Sequence, residues 1–217
     1  MQRCQNNNLS SNGVDMSQMR KWRATAEVVA EREGVHPAVL EIFFHVLEHI
    51  ADEDWYGACH SSSTILYMLF QEHDIDAEIL IGEVVAKPWQ FDHSWIEIDG
   101  AIYDAAVAFP HPDGEPVGGP IFAGYDLSTD DETANKYGIG TFDTLGGDAQ
   151  TIARLSIGTY YTFADQRAYV ECVGNGYPAP EPLWDRAARI AQAMGLSKTR
   201  EQLASEHFDI RRTIRTV

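Results

Sequence analysis

The segment FDHSWIEIDGAIYDAA, running from Phe91 to Ala106, constrains this chain more than any other stretch. Asp99-Gly100 stands between two alternating apolar runs, the strongest short-range signature of a two-residue hairpin. Such a turn needs positive φ at both central residues, which Gly adopts freely and Asp tolerates. With these two as the loop, Ile98 faces Ala101, Glu97 faces Ile102, Ile96 faces Tyr103 and Trp95 faces Asp104. Opposed residues share a face of the sheet, as do residues two apart on one strand. His93, Trp95 and Asp104 are therefore expected on one side. His93 and Asp104 become diagonal neighbours, with Cβ atoms roughly 7–8 Å apart, a gap their side chains can close. A slip of one residue would send Asp104 to the opposite face, so the inference rests on the register.

The elements upstream supply a third residue. Ser17 to Glu33 reads as a helix stopped by Gly34. Pro37 suits the first position of a second helix, in which Leu40, Phe43, Phe44, Leu47 and Ile50 form one buried stripe. Gly57 breaks the chain, and Cys59 opens a third helix with Ile65, Leu66, Leu69 and Phe70 on its apolar side. DAEILIGEVVA is a strand leading into the hairpin. Cys59 thus sits where a helix carries partial positive charge and unpaired N–H groups, which favours a thiolate. A protonated His93 would favour it further, and Asp104 could hold the imidazole in one tautomer. Nucleophile, base and orienting group are the parts of covalent acyl transfer. The backbone N–H of Cys59 would stabilise the oxyanion, with Trp55 and Tyr56 as further oxyanion or substrate candidates. Trp95 packs beneath the site or touches substrate. His60 points about 100° away from Cys59 and is not expected to act as the base.

Gly57-Ala58-Cys59 at a helix start, HDIDAEILIGEV, the run His93-Ser94-Trp95-Ile96-Glu97-Ile98-Asp99-Gly100 and then Tyr103-Asp104 together resemble the transglutaminase-like core. The resemblance spans residues 55 to 106. It implies a papain-like α+β fold, a helix bearing the cysteine packed on an antiparallel sheet. It also implies a triad with Cys59 as nucleophile, His93 as general acid and base, and Asp104 as orienting group. Ser94 stands where the family has a small residue between histidine and tryptophan. Ala105-Ala106 replaces the Pro-Thr that often follows the aspartate. The family includes transglutaminases, proteases, deamidases and lasso-peptide leader peptidases. The expected activity is therefore cleavage or transfer of a peptide or protein amide, with no cofactor and no metal.

Other readings use the same residues. Arylamine N-acetyltransferases run this triad on a related fold with acetyl-coenzyme A, but their Arg-Gly-Gly before the cysteine is here Trp55-Tyr56-Gly57. A non-catalytic peptide- or protein-binding module is a further alternative. Cys59, His93 and Asp104 are also residue types that ligate zinc, although a cysteine at a helix start suits nucleophilic chemistry better. His45 and His49 have metal spacing on a helix without a supporting glutamate.

The formal charge of −17, from 33 acidic and 16 basic residues, repels nucleic acid and anionic lipid. With 217 residues and no apolar run of membrane-span length, one domain over 17–217 is expected, with its core at about 37–173. Residues 1–16, polar and without a secretory signal, read as a mobile tail of a cytoplasmic protein. Three cysteines, with no Cys-x-x-Cys, make neither a disulfide framework nor a zinc ribbon. Residues 109–149, rich in Gly, Pro and Asp, are expected to form an irregular flap or rim. Within them DLSTDDET resembles a calcium loop, but Tyr137 stands where the bidentate Glu belongs, so it reads as a solvated acidic loop. SIGTYYTFADQRAYVECV reads as a second hairpin broken near Ala164-Asp165, with Cys172 a packed thiol. The C-terminal part, about 181–215, reads as two helices. The first ends at Gly195, and the second begins near Thr199 in a TREQ capping box.

Overall fold

A computed structural model describes residues 14–111 and 114–216. Residues 1–13 of the expected tail lie outside the described residues, and helix α1 (Met16–Glu33) already begins at Met16. Asp15 caps it by accepting the Gln18 N–H at 2.7 Å, and Gly34 ends it in the left-handed conformation. Helix α2 (Pro37–Asp52) starts on its proline and buries Ile42, Phe43, Phe44, Leu47 and Ile50. Helix α3 (Cys59–Glu72) is buried on nearly every side from Ser61 to Phe70. Its hydroxyls bond within the protein, Ser62 to the Ala58 carbonyl and Thr64 to the Ser61 carbonyl, so this polar first half survives enclosure.

Strands β1 (Glu78–Ala86), β2 (Trp89–Ile98) and β3 (Ala101–Tyr103) form an antiparallel meander. Asp99 and Gly100 take φ of 52° and 80°, the hairpin conformation their identities require. The register pairs Ile98 with Ala101, Glu97 with Ile102 and Ile96 with Tyr103, as the hairpin pattern demands. At Asp104 the ladder changes partner. Instead of continuing opposite Trp95, Asp104 exchanges both backbone bonds with Ile121, the first residue of β4 (Ile121–Phe122). One sheet face, with Ile79, Ile81, Ile96 and Tyr103, joins the helical core; the other packs Leu80, Val84 and Trp95.

The chain beyond Phe109 departs from the sequence expectation in two places. Strands β4, β5 (Tyr125–Asp126) and β6 (Asp131–Glu132) make a small sheet, and β7 (Lys136–Ile139) joins the main sheet on the free edge of β1. The stretch is therefore only partly irregular: Pro110 and Gly114–Pro120 carry neither helix nor strand. The second hairpin is absent. Helix α4 (Gly147–Ala153) is followed by α5 (Ile157–Gly174), an unbroken 18-residue helix across the expected turn. Ser156 caps α5, and Ile157, Tyr160, Tyr161, Ala168 and Cys172 bury one face at helical spacing. Aromatic and β-branched residues favoured a strand, but tertiary burial of that face decided otherwise. Cys172 is disulfide-bonded rather than a packed free thiol.

Helices α6 (Leu183–Ala193) and α7 (Arg200–His207) follow, the latter with the Thr199–Gln202 capping box. Strand β8 (Thr213–Ile214) then runs parallel to β1 at Leu80–Ile81, below the part that β7 covers. No helix among the described residues is long and apolar enough to cross a membrane.

Candidate active site

Three elements converge at the head of α3. Gly57 turns the chain at φ 66°, with the His111 backbone so close that an added Cβ would lie 3.3 Å from its Cα. A side chain there would be strained twice over. The Gly57 N–H is tied to the Phe109 carbonyl at 2.9 Å, which anchors the turn to the loop after Asp104. Cys59 follows as the first helical residue, half-buried and a free thiol.

His93 Nε2 lies 2.7 Å from Asp104 Oδ2, and both side chains are almost wholly buried. The imidazole and the Cys59 thiol line one cavity and each shifts the titration of the other. Asp104 is held from three further directions. Its Oδ1 accepts the N–H groups of Ala106 at 3.1 Å and Val107 at 3.0 Å, and its Oδ2 accepts the Tyr137 hydroxyl at 2.8 Å. The diagonal expected from the hairpin register is thus closed by a direct bond.

Burial pulls the His93 pKa down, but the Asp104 carboxylate and the Cys59 sulfur outweigh it and lift the imidazole to about 10. Burial likewise pushes the Cys59 thiol up. The positive charge of His93 leads the effects that more than offset this, so the thiol titrates below its usual range. Each shift favours the charged form of its group, imidazolium for His93 and thiolate for Cys59.

His60 is the next residue of α3. Its Nδ1 lies 2.6 Å from Ser94 Oγ, so Ser94 orients this second imidazole with its side chain while its backbone faces the sulfur. Burial, then the positive charges of Arg212 and His93, hold His60 well below the ordinary histidine value. Arg212 is buried between α7 and β8, 4.4 Å over the Tyr160 ring, and donates to the His60 carbonyl at 2.9 Å. Its Nε and Nη1 have no hydrogen-bond partner among the described residues.

The remaining candidates divide. Trp95 is fully buried, with its indole N–H on Glu97 Oε1 at 3.1 Å and its ring 5.1 Å from Tyr137; it packs beneath the site and does not reach a substrate. Trp55 is buried away from the thiol, under the Arg186 guanidinium at 4.6 Å and edge-on to His49. Tyr56 is half-buried, its ring 6.0 Å from that of Phe109. Neither side chain is seen to donate towards the sulfur.

The metal readings find no support in the geometry. His93 lies between thiol and carboxylate, so the three donors do not converge on one point. His49 bonds Arg186 at 3.0 Å and is held down to about 4 by burial and that guanidinium. Among the described residues one carboxylate–histidine group has metal spacing, Glu72, Glu206 and His207, and the Lys198 ammonium already sits 2.7 and 2.6 Å from its two glutamates. In the acidic loop, Asp126 Oδ1 accepts the N–H groups of Gly119 and Ser128, a turn-forming role.

Two site residues escaped sequence reasoning. Tyr137 was conspicuous only as a wrong calcium ligand, and Arg212 lies in a tail with no motif. A cavity of about 500 Å³ opens over Cys59 and His93, walled by Trp89, Phe91, Phe109 and Val117 with Asp92 and Glu115. His111, Gly114 and Val117 bring the expected rim to its edge. No family model matches this chain, and no curated protein or solved structure matches it.

Proposed function

We propose that this chain is a thiol-dependent acyl-transfer enzyme of the transglutaminase-like, papain-like type, acting on a peptide or protein amide. The observation that carries this reading is the buried His93–Asp104 contact at 2.7 Å beside a cavity that Cys59 and His93 both line. The Cys59 thiolate attacks the amide carbonyl, a C–S bond forms, and the carbonyl oxygen takes the negative charge. The Cys59 N–H, at the head of α3, faces that charge with the helix dipole behind it. His93 then gives its proton to the departing nitrogen, the C–N bond breaks, and a thioester remains on Cys59. Water or a second amine, deprotonated by His93, attacks the thioester and restores the thiol pair. Asp104, fixed by two backbone N–H groups and Tyr137, keeps the imidazole turned towards sulfur throughout.

Intact-mass analysis tests this directly. Incubation with a peptide library is expected to leave a hydroxylamine-sensitive acyl adduct on Cys59, and Cys59→Ala is expected to leave none. An acetyl adduct formed from acetyl-coenzyme A, with no peptide adduct, would move the assignment to acetyl transfer. Absence of any adduct on a folded protein would leave only binding.

A further inference from the structure

A second cavity, of about 220 Å³, adjoins the first. Gly57 lines both; Cys59 and His93 line only the larger, while His60, Ser61 and Tyr160 line only the smaller. Its walls are apolar, from Trp55, Ile152, Phe163 and Leu183. The polar groups at its floor are already engaged, Ser61 Oγ with Tyr160 OH at 2.7 Å and His60 Nδ1 with Ser94. The charged groups on its lining, Asp148 and Arg167, pair with each other at 2.8 Å. A cationic ligand would also face Arg212 behind the Tyr160 ring, and an ion of either sign would lose water against these apolar walls. The volume is below the roughly 300 Å³ at which small-molecule sites begin, which suits a single side chain.

We infer that this cavity is a specificity pocket that seats one bulky aliphatic or aromatic side chain of the acyl substrate. The inference rests on the acyl-transfer reading and goes further by naming what the substrate carries. Gly57 and Cys59 are two residues apart, at most about 7 Å of chain. A side chain in the pocket therefore belongs to the residue bearing the reacting carbonyl or to its neighbour.

Dipeptidyl chloromethyl ketones test the pocket without requiring turnover. The Cys59 thiolate displaces chloride, a C–S bond forms, and the adduct is counted by intact mass. Reagents with Phe, Leu, Lys, Asp or Gly at either position are compared, each rate normalised to iodoacetamide. Phe and Leu are expected to exceed Gly, Lys and Asp by about tenfold or more at one position, the scale on which apolar pockets discriminate. Ala164→Trp, which fills the cavity from α5, is expected to erase that preference and leave the Gly reagent and iodoacetamide rates unchanged. Phe163→Ala enlarges the same space and should move the optimum to naphthylalanine, which serves if the tryptophan variant melts early. Equal rates for all side chains at both positions, or a preference that survives Ala164→Trp in a folded protein, would overturn the pocket. Failure of the acyl-transfer reading looks different: no thioester from any peptide amide, with the chloromethyl ketone preference intact.

Discussion

Two imidazoles lie near the head of α3, one on each of the two neighbouring cavities, and their surroundings push them in opposite directions. His93 rests on a carboxylate and is lifted to about 10; His60 faces a guanidinium and is held well below its ordinary value. Both are removed from water, so desolvation alone would lower both. The partner charge separates them, and that charge comes in each case from another part of the chain, Asp104 after β3 and Arg212 before β8. One site can thus hold a histidine ready to donate a proton beside another that stays neutral. Residue type alone assigns neither role.

The sharpest way to break the contrast is to remove its carboxylate. Asp104→Asn keeps the shape but withdraws the charge, so His93 should lose its raised value and the Cys59 thiol should return towards its ordinary range. Catalytic kcat/KM is expected to fall by between about a hundredfold and ten-thousandfold, and the alkylation rate at Cys59 should shift to higher pH. An unchanged alkylation profile would show that the helix terminus alone sustains the thiolate. Tyr137→Phe removes one of the bonds that fix Asp104, and a smaller loss of about tenfold is expected with the fold intact. A wild-type rate in this variant would reduce Tyr137 to packing.

Beside the other imidazole, Arg212→Met removes the charge that, after burial, does most to hold His60 low. The His60 resonances should then titrate nearer the ordinary histidine value by NMR, while kcat/KM changes by only a few-fold. His60→Gln should leave the pH profile of Cys59 alkylation in place, whereas His93→Gln should abolish its low-pH arm. If the two substitutions behaved alike, the two surroundings would not be distinct.

Stability against pH gives the smallest effect. A histidine raised in the folded state contributes stability that is complete below the free imidazole value and is lost as the pH climbs through the raised one. His93 therefore predicts a fall in melting temperature from about pH 7 to beyond about 10. A histidine lowered in the folded state works in reverse: the unfolded chain takes up the proton first, so His60 costs stability as the pH drops below about 6.5. Melting scans should show each limb flattened, by a few degrees, in the matching Gln variant and not in the other.

Legibility followed the range of the interaction. Asp99-Gly100 sets its own turn, and the turn sets the register; the period-two rule then places His93 and Asp104 on one face. The stop at Gly34, the break at Gly57 and the TREQ box are equally local, and the helices they bound lie close to where their patterns put them. The failures came where local preference met distant packing. SIGTYYTFADQRAYVECV has strand-forming residues, yet its Tyr160 and Tyr161 hydroxyls reach Ser61 and Thr64 of α3, contacts that only a helix at this position makes. The short strand at Lys136–Ile139 has no pattern of its own and exists because β1 offers an open edge.

The sequence by itself determined the hairpin, the helix-start cysteine and the pairing of imidazole with carboxylate, since each follows from backbone geometry over a few residues. Only the tertiary structure decided that Tyr137 steadies Asp104, that Arg212 adds to the burial holding His60 low and that an apolar cavity adjoins the one over the thiol. Those features depend on which surfaces are brought together across long loops, and no local periodicity encodes the choice of partner.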